Sequence, residues 1–427
     1  MRTRLGRLIL LLTWLCPLMM HQTTMAYEVS THMKFTEYAA NNSVLGTDPT
    51  LLSDFGLGAY GAAGFVNSNN DAPMNIRDII AFGALFEDDG GSFFQRINPF
   101  ITKRSLRHFF DPQTGNGLTL LIGGSFLPSP DWALERNSAG AVLDLRNPEQ
   151  AYSYQDARNY LFTALTCQTV LCRQANFSKT FQTIGHVIHH LQDMGQPQHS
   201  RLDTHLLEPN SFYEEYTAAT KDSVLPALIN ANPFPPPAGG NYFNSPRRYW
   251  QNGDGKGMAE FTGTNFVTMG SMFRRDKNTT SGFSSNKNFP LPTGAGVTKS
   301  TLQTSLTGIG GETMTDNIDF LEKTIIDPMK GPPGTKVRLA TISILDAHLK
   351  GNELGFDGDP LNVLTVNSKV FDDRLAVLAP RIAAFSTDFI NYFFRGRIDM
   401  VKWKPIQLAD TKSQWQCHVR KFFFVLR

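Results

Sequence analysis

Apolar residues recur at helical spacing in several stretches of this chain. In "KTFQTIGHVIHHLQD" (179–193), Phe181, Ile184, Ile188 and Leu191 fall on one stripe at steps of three and four, which predicts an amphipathic helix. Gly195 and Pro197 follow, so the helix should stop before them. "DDRLAVLAPRIAAFSTDFINYFFRG" (372–396) repeats Leu375, Leu378, Ile382, Phe385 and Phe389 at the same spacing, with Pro380 as a start or kink and Gly396 as the end. "STHMKFTEYAA" (30–40), with Ser30 and Thr31 as N-cap candidates, "IRDIIAFGALFEDD" (76–89) and "YQDARNYLFTAL" (154–165) predict three further helices. Between these elements, 232–248 and 278–296 are rich in Pro, Gly, Ser and Asn and read as long irregular insertions. Residues 401–427 follow no earlier pattern and are an uncertain tail.

The first 26 residues read as a processing signal. Arg2, Arg4 and Arg7 precede the apolar run "LILLLTWLCPLMM", and a polar end carries small residues up to Ala26. Cleavage after Ala26 predicts a secreted or periplasmic product beginning at Tyr27. It would also remove three of the 40 basic residues, leaving 37 against 38 acidic ones. So even a balance argues against a protein built to hold long nucleic acid, and no stable nucleic-acid complex is expected. With 18% charged and 41% hydrophobic residues, the chain is globular rather than disordered. Cys16 leaves with the signal, Cys167 and Cys172 are close enough to pair, and Cys417 is left over. No Cys-x-x-Cys pair exists to frame a metal.

The candidate chemistry lies in "HVIHHLQDMGQPQHSRLDTH" (186–205), which holds five of the ten histidines. His189 and Asp193 are spaced i, i+4 and share a helix face, where both can reach one metal ion. His186 and His190 have the same spacing, so periodicity alone leaves the register open. His199 is expected from the loop beyond the Gly-Pro turn.

"HHLQDMGQPQH" resembles the His-x-x-x-Asp-x-x-x-Pro-x-His signature of the bacterial zinc-dependent phospholipase C family of the alpha-toxin type, a superfamily that includes single-strand-specific zinc nucleases. In that register the ligands are His189, Asp193 and His199, and His186 and His190 are flanking residues. The resemblance extends over residues 27 to about 216. "RHFFDP" (107–112) is similar to a family segment that would make His108 a ligand. "FGALFEDD" is similar to the one carrying a metal-bound aspartate, placed at Asp88 with Glu87 and Asp89 as close rivals. The family also ligates through its mature N-terminus and an early histidine, here Tyr27, where the family usually has Trp, and His32. "NSFYEEY" (210–216) resembles the segment of a final glutamate, Glu214. The family histidine place there is occupied by Asn210, with His205 as the replacement and Asp203, Glu208 and Glu215 as other substitutes.

The resemblance implies a mainly α domain over 27–400, phospholipase C/nuclease-like, with a trinuclear zinc cleft. One zinc would take Asp88, His108, His189 and Asp193. Another would take His199, His205 and Glu214, and a third the Tyr27 backbone, His32 and a shared Asp193. The implied activity is phosphodiester hydrolysis by metal-activated water, with Asp88 as the catalytic residue. The expected substrate is a glycerophospholipid, with transient contact at a membrane surface. A single-strand-specific nuclease with the same metal site is the alternative, and a non-catalytic zinc-stabilised binding protein is a second.

Overall fold

A computed structural model describes residues 29–62, 64–66, 73–89, 104–119, 125–135, 150–203, 212–220, 222–234, 241–268, 296–307, 313–342 and 364–395. The predicted signal, Tyr27, His205, Asn210, Glu208, most of 278–296 and the tail 401–427 lie outside these residues.

The chain is mostly helical, with a small antiparallel sheet. The principal helices are α1 (Val29–Asn42), α2 (Ile76–Asp89), α3 (Tyr154–Thr166), α4 (Val170–Asp193), α5 (Pro197–Ser200), α6 (Phe212–Thr220) and α7 (Ser368–Phe394). Shorter helical turns link them. No described helix is long and apolar enough to cross a membrane.

Helix α4 is the axis of the molecule. It runs 24 residues, beginning nine residues before the stretch 179–193 that the sequence pattern marks. Thr169 caps it by accepting from the Cys172 backbone N–H, and Cys167 and Cys172 form a disulfide across the turn from α3. Phe177, Phe181, Ile184 and Ile188 of α4 join Ile79 and Ile80 of α2, Phe35 of α1 and Ile382, Phe385 and Phe389 of α7 in one buried cluster. From Phe177 to Asp193 every residue of α4 except Lys179 is buried, so most of its polar face looks into the protein rather than into solvent.

Two glycines set the distance between α2 and α4. A Cβ on Gly185 would lie 2.0 Å from the Ile80 carbonyl oxygen, and one on Gly83 would lie 2.0 Å from that of Gln182. The helices therefore pack backbone to backbone, which brings the acidic end of α2 against the histidines of α4. Gly185→Ala should force them apart, costing about 1–3 kcal/mol or more as an overpacked contact. Thermal unfolding with and without zinc checks this, and the loss should appear in both.

Four details differ from the sequence reading. Helix α1 already begins at Val29, ahead of Ser30 and Thr31. Helix α7 starts at Ser368, capped by Asn367, and Pro380 sits in its interior. There the proline merely removes the N–H that would bond to residue 376. His199 rides on α5 rather than a loop, because Pro197 at the first helical position presets its φ for a new turn. The fourth is a sheet within the region expected to be helical or irregular. Strands β1 (Val297–Thr307), β2 (Thr313–Ile325), β3 (Thr335–Ile342) and β4 (Leu364–Thr365) pair antiparallel in that order. Ile325, Val337 and Leu339 belong to the same core cluster as the helices, so the sheet is continuous with the helical body. Arg338 pairs bidentately with Asp373, pinning β3 to α7 at 2.6 and 2.7 Å.

Candidate metal centre

Three segments far apart in sequence meet at the end of α4: α1, the C-terminal turn of α2, and the stretch after the 3-10 turn Ser105–Arg107. Asp193 is the meeting point. Its Oδ1 lies 3.3 Å from His32 Nε2, and its Oδ2 lies 3.1 Å from His108 Nδ1 and 3.5 Å from His189 Nε2. Asp88 faces the same space, 3.4 Å from His108 Nδ1 and 3.4 Å from His189 Nε2. His32, His189 and Asp193 form one group of buried donors able to hold a metal ion, and Asp88, His108 and His189 another. His189 is common to both.

The polar atoms here fit a cation better than they fit each other. Both oxygens of Asp88 and Asp193, both ring nitrogens of His108 and His189 Nε2 are buried and complete no hydrogen bond. Leaving a buried polar group without a partner costs about 1–3 kcal/mol, and six of these seven atoms, all but His108 Nε2, face one another and need a common partner. The histidines are oriented for one. His189 Nδ1–H donates to the Ala84 carbonyl at 2.7 Å, which leaves the Nε2 lone pair aimed at the two aspartates. His32 Nδ1 pairs with Gln192 Oε1 at 2.7 Å, turning its Nε2 to Asp193, and the His32 and His189 rings stack at 3.8 Å. His199 Nδ1 donates to the His108 carbonyl at 3.2 Å, with its ring on Phe109.

The charges tell the same story. Burial pushes the Asp88 carboxyl up to about 7, with Asp193 and Glu87 adding to the rise against His108 and His32. Burial alone would also raise Asp193, but the charges of His189, His108 and His199 outweigh it and hold that carboxyl well below the usual range. Burial opposes the charging of His108, yet Asp193, Glu87 and Asp88 carry it up to about 10. In the metal-free protein, protons supply the positive charge that this cluster of carboxylates demands. A divalent cation would replace them, as bound ions invert the local protonation order.

Beside these groups lies a network that the sequence reading assigned no role. Glu87 was a rival for Asp88, and His186 and His190 were flanking residues. The structure makes Glu87 the acceptor at the centre of a buried hub. Its Oε2 accepts from His186 Nδ1 at 2.6 Å and from Arg104, and its Oε1 accepts from His190 Nε2 at 3.0 Å and Trp132 Nε1 at 3.5 Å. Burial lowers the His190 pKa to about 4, so that ring is neutral. Its Nδ1 therefore accepts from Ser129 Oγ at 3.3 Å, and Ser129 in turn accepts from Trp250 Nε1. Glu87, His108 and His190 form a third group of suitable donors. The Arg104 guanidinium already balances Glu87, so this group reads as support. His108 Nε2 stands 3.7 Å from Glu87 Oε1 while its Nδ1 faces the aspartates. The hub thus backs the ring that the metal groups use.

The remaining expected ligands are not assembled among the described residues. Glu214 on α6 is buried and accepts from Gln196 Nε2 at 2.6 Å. No group of three donors among the described residues includes His199 or Glu214. His205, which the expected second zinc also needs, lies outside the described residues, as does Tyr27. Buried His, Glu and Asp groups that can hold a metal ion are what the structure provides. Comparison with protein-family models, with curated proteins and with solved structures finds no match to this chain.

Proposed function

We propose that this chain is a zinc-dependent phosphodiester hydrolase whose substrate is a glycerophospholipid, cleaved in the manner of a phospholipase C. The observation that carries the reading is the meeting of Asp88, His108, His189 and Asp193, drawn from three distant segments, with buried donor atoms that complete no hydrogen bond. Imidazole nitrogen and carboxylate oxygen are donor types that zinc accepts. Zinc held there would supply the charge that acidifies a water and offsets negative charge developing on a phosphoryl group. Asp193 would bridge the two groups, with one oxygen toward His32 and the other toward His108 and His189. Asp88 is assigned to orienting the attacking water, since neither of its oxygens is committed elsewhere. Glu87 and the Ala84 carbonyl would hold His108 and His189 in place. Burial of all these side chains keeps bulk water from screening the charges.

The test is hydrolysis of phosphatidylcholine and of single-stranded DNA by the chain beginning at Tyr27, before and after treatment with a chelator. Phosphatidylcholine cleavage that a chelator abolishes and zinc restores is the expected result. Cleavage of DNA alone would replace the lipid reading with the nuclease one on the same ligands. A folded chain that binds zinc and cleaves neither would be a binding protein, and the proposal would be wrong.

A further inference from the structure

Among the described residues six large apolar side chains stand exposed, and four of them, Phe162, Leu165, Val170 and Leu171, fall within ten residues. They surround the turn between α3 and α4, the turn closed by the Cys167–Cys172 disulfide. Leu171 is 79% exposed and Val170 68%, so neither is covered by packing among the described residues. Scattered exposed apolar residues are ordinary, whereas a contiguous group marks a contact surface.

The charges around the tip narrow what that contact is. From Ala157 to Gln192 the chain carries Arg158, Arg173 and Lys179 and no carboxylate. Arg173 is bonded to the Phe55 carbonyl. Arg158 lies one turn below Phe162 on the same face of α3, and Lys179 lies two turns below Leu171 on α4. At the rise of a helix these steps are about 6 Å and about 12 Å from the apolar tip. The Lys179 ammonium leans over the Tyr160 ring at 5.6 Å, so a basic and aromatic belt crosses both helices beneath the tip. Apolar side chains ahead of a cationic, tyrosine-bearing belt match the depth profile of a bilayer, where apolar groups enter about 5–10 Å and basic groups meet the headgroups. The feature is the end of two consecutive helices joined by a disulfide-closed turn.

We propose that the disulfide-closed α3–α4 tip docks the protein on a bilayer of anionic phospholipid, with Phe162, Leu165, Val170 and Leu171 inserted and Arg158 and Lys179 at the headgroups. This deepens the phospholipase reading by naming the surface that meets its substrate, yet it rests on a different part of the molecule from the metal centre.

The experiment measures co-sedimentation of the zinc-loaded chain beginning at Tyr27 with vesicles of phosphatidylcholine alone and of phosphatidylcholine mixed with phosphatidylserine. Hydrolysis of a soluble short-chain phosphatidylcholine is measured in parallel. The parent should bind the mixed vesicles more tightly. Phe162→Asp and Leu171→Asp should each weaken vesicle binding at least about tenfold, the scale of losing one buried apolar side chain. Arg158→Gln with Lys179→Gln should remove the preference for phosphatidylserine. All variants should keep the parent's zinc content and its rate on the soluble substrate. The proposal falls if the parent binds no vesicles or if the Asp variants bind as the parent does. It also falls if those variants dissolve a dimer of the parent and leave vesicle binding intact. Tip-dependent binding without lipid hydrolysis would keep the docking surface and remove the phospholipase reading. Zinc-dependent hydrolysis of the soluble substrate together with vesicle binding that is indifferent to the tip would do the reverse.

Discussion

Asp193→Asn should strip the protein of tightly held zinc and lower hydrolysis by about a thousandfold or more. Asp193 lies beside His32 through one oxygen and beside His108 and His189 through the other, so the first donor group loses its carboxylate and the second loses the carboxylate next to its two histidines. A metal ion of this kind contributes several kcal/mol to the transition state, and each 1.4 kcal/mol or so is a factor of ten in rate. Asn has almost the same shape, so the metal-free protein should keep its helical signal. Metal content by mass spectrometry and the rate on phosphatidylcholine read the two effects separately. Asp316→Asn, an exposed change on β2, is the matching control and should alter neither. Full activity in Asp193→Asn would remove the bridging role from this residue.

Glu87→Leu should destabilise the whole protein, by about 3–5 kcal/mol, as breaking a buried ion pair does. The substitution leaves the Arg104 guanidinium buried without its carboxylate, and strands His186 Nδ1 and His190 Nε2 as donors with nothing to accept from them. Glu87→Gln keeps the shape and one carbonyl acceptor, so it should cost less stability. Its effect should instead appear in zinc affinity, weakened about 10–100-fold, the usual result of removing support behind a ligating histidine. Denaturant unfolding and competition with a zinc chelator distinguish the two variants. If Glu87→Gln leaves zinc affinity unchanged, the hub serves folding alone.

The parts of this protein that were legible in its sequence are those written in one helix. The stripe of Phe181, Ile184, Ile188 and Leu191 marks the core face of α4, and the i, i+4 spacing of His189 and Asp193 places them side by side. The second pair at that spacing, His186 and His190, was visible too, but its purpose was not. Their acceptor, Glu87, is 99 and 103 residues away, brought close by two facing glycines that have no periodic signature. The choice between Glu87 and Asp88 was undecidable in sequence because both are buried neighbours, and only their partners differ.

The sheet was missed for a different reason. "VTKSTLQTSLT" forms β1, but its threonines, serines and lysine read as loop when no partner is in view. The signal lay in "TKVRLATI", where Val337, Leu339 and Thr341 alternate inward with Lys336 and Arg338. In β2 the same alternation at Ile318 and Phe320 is interrupted by a register shift between Leu321 and Glu322, which blurs the period of two. Pro380 is not the start of α7, because that helix is held by core contacts along its length and tolerates one missing hydrogen bond in its interior.

The most direct test of the metal centre is an anomalous difference map at the zinc absorption edge from crystals of the zinc-loaded chain. The account predicts a peak about 2.0–2.2 Å from His189 Nε2 and from an Asp193 oxygen. His108 Nδ1 or His32 Nε2 should complete that coordination. Zinc bound only at the surface, with His108, His189, Asp88 and Asp193 in contact with none of it, would contradict the account.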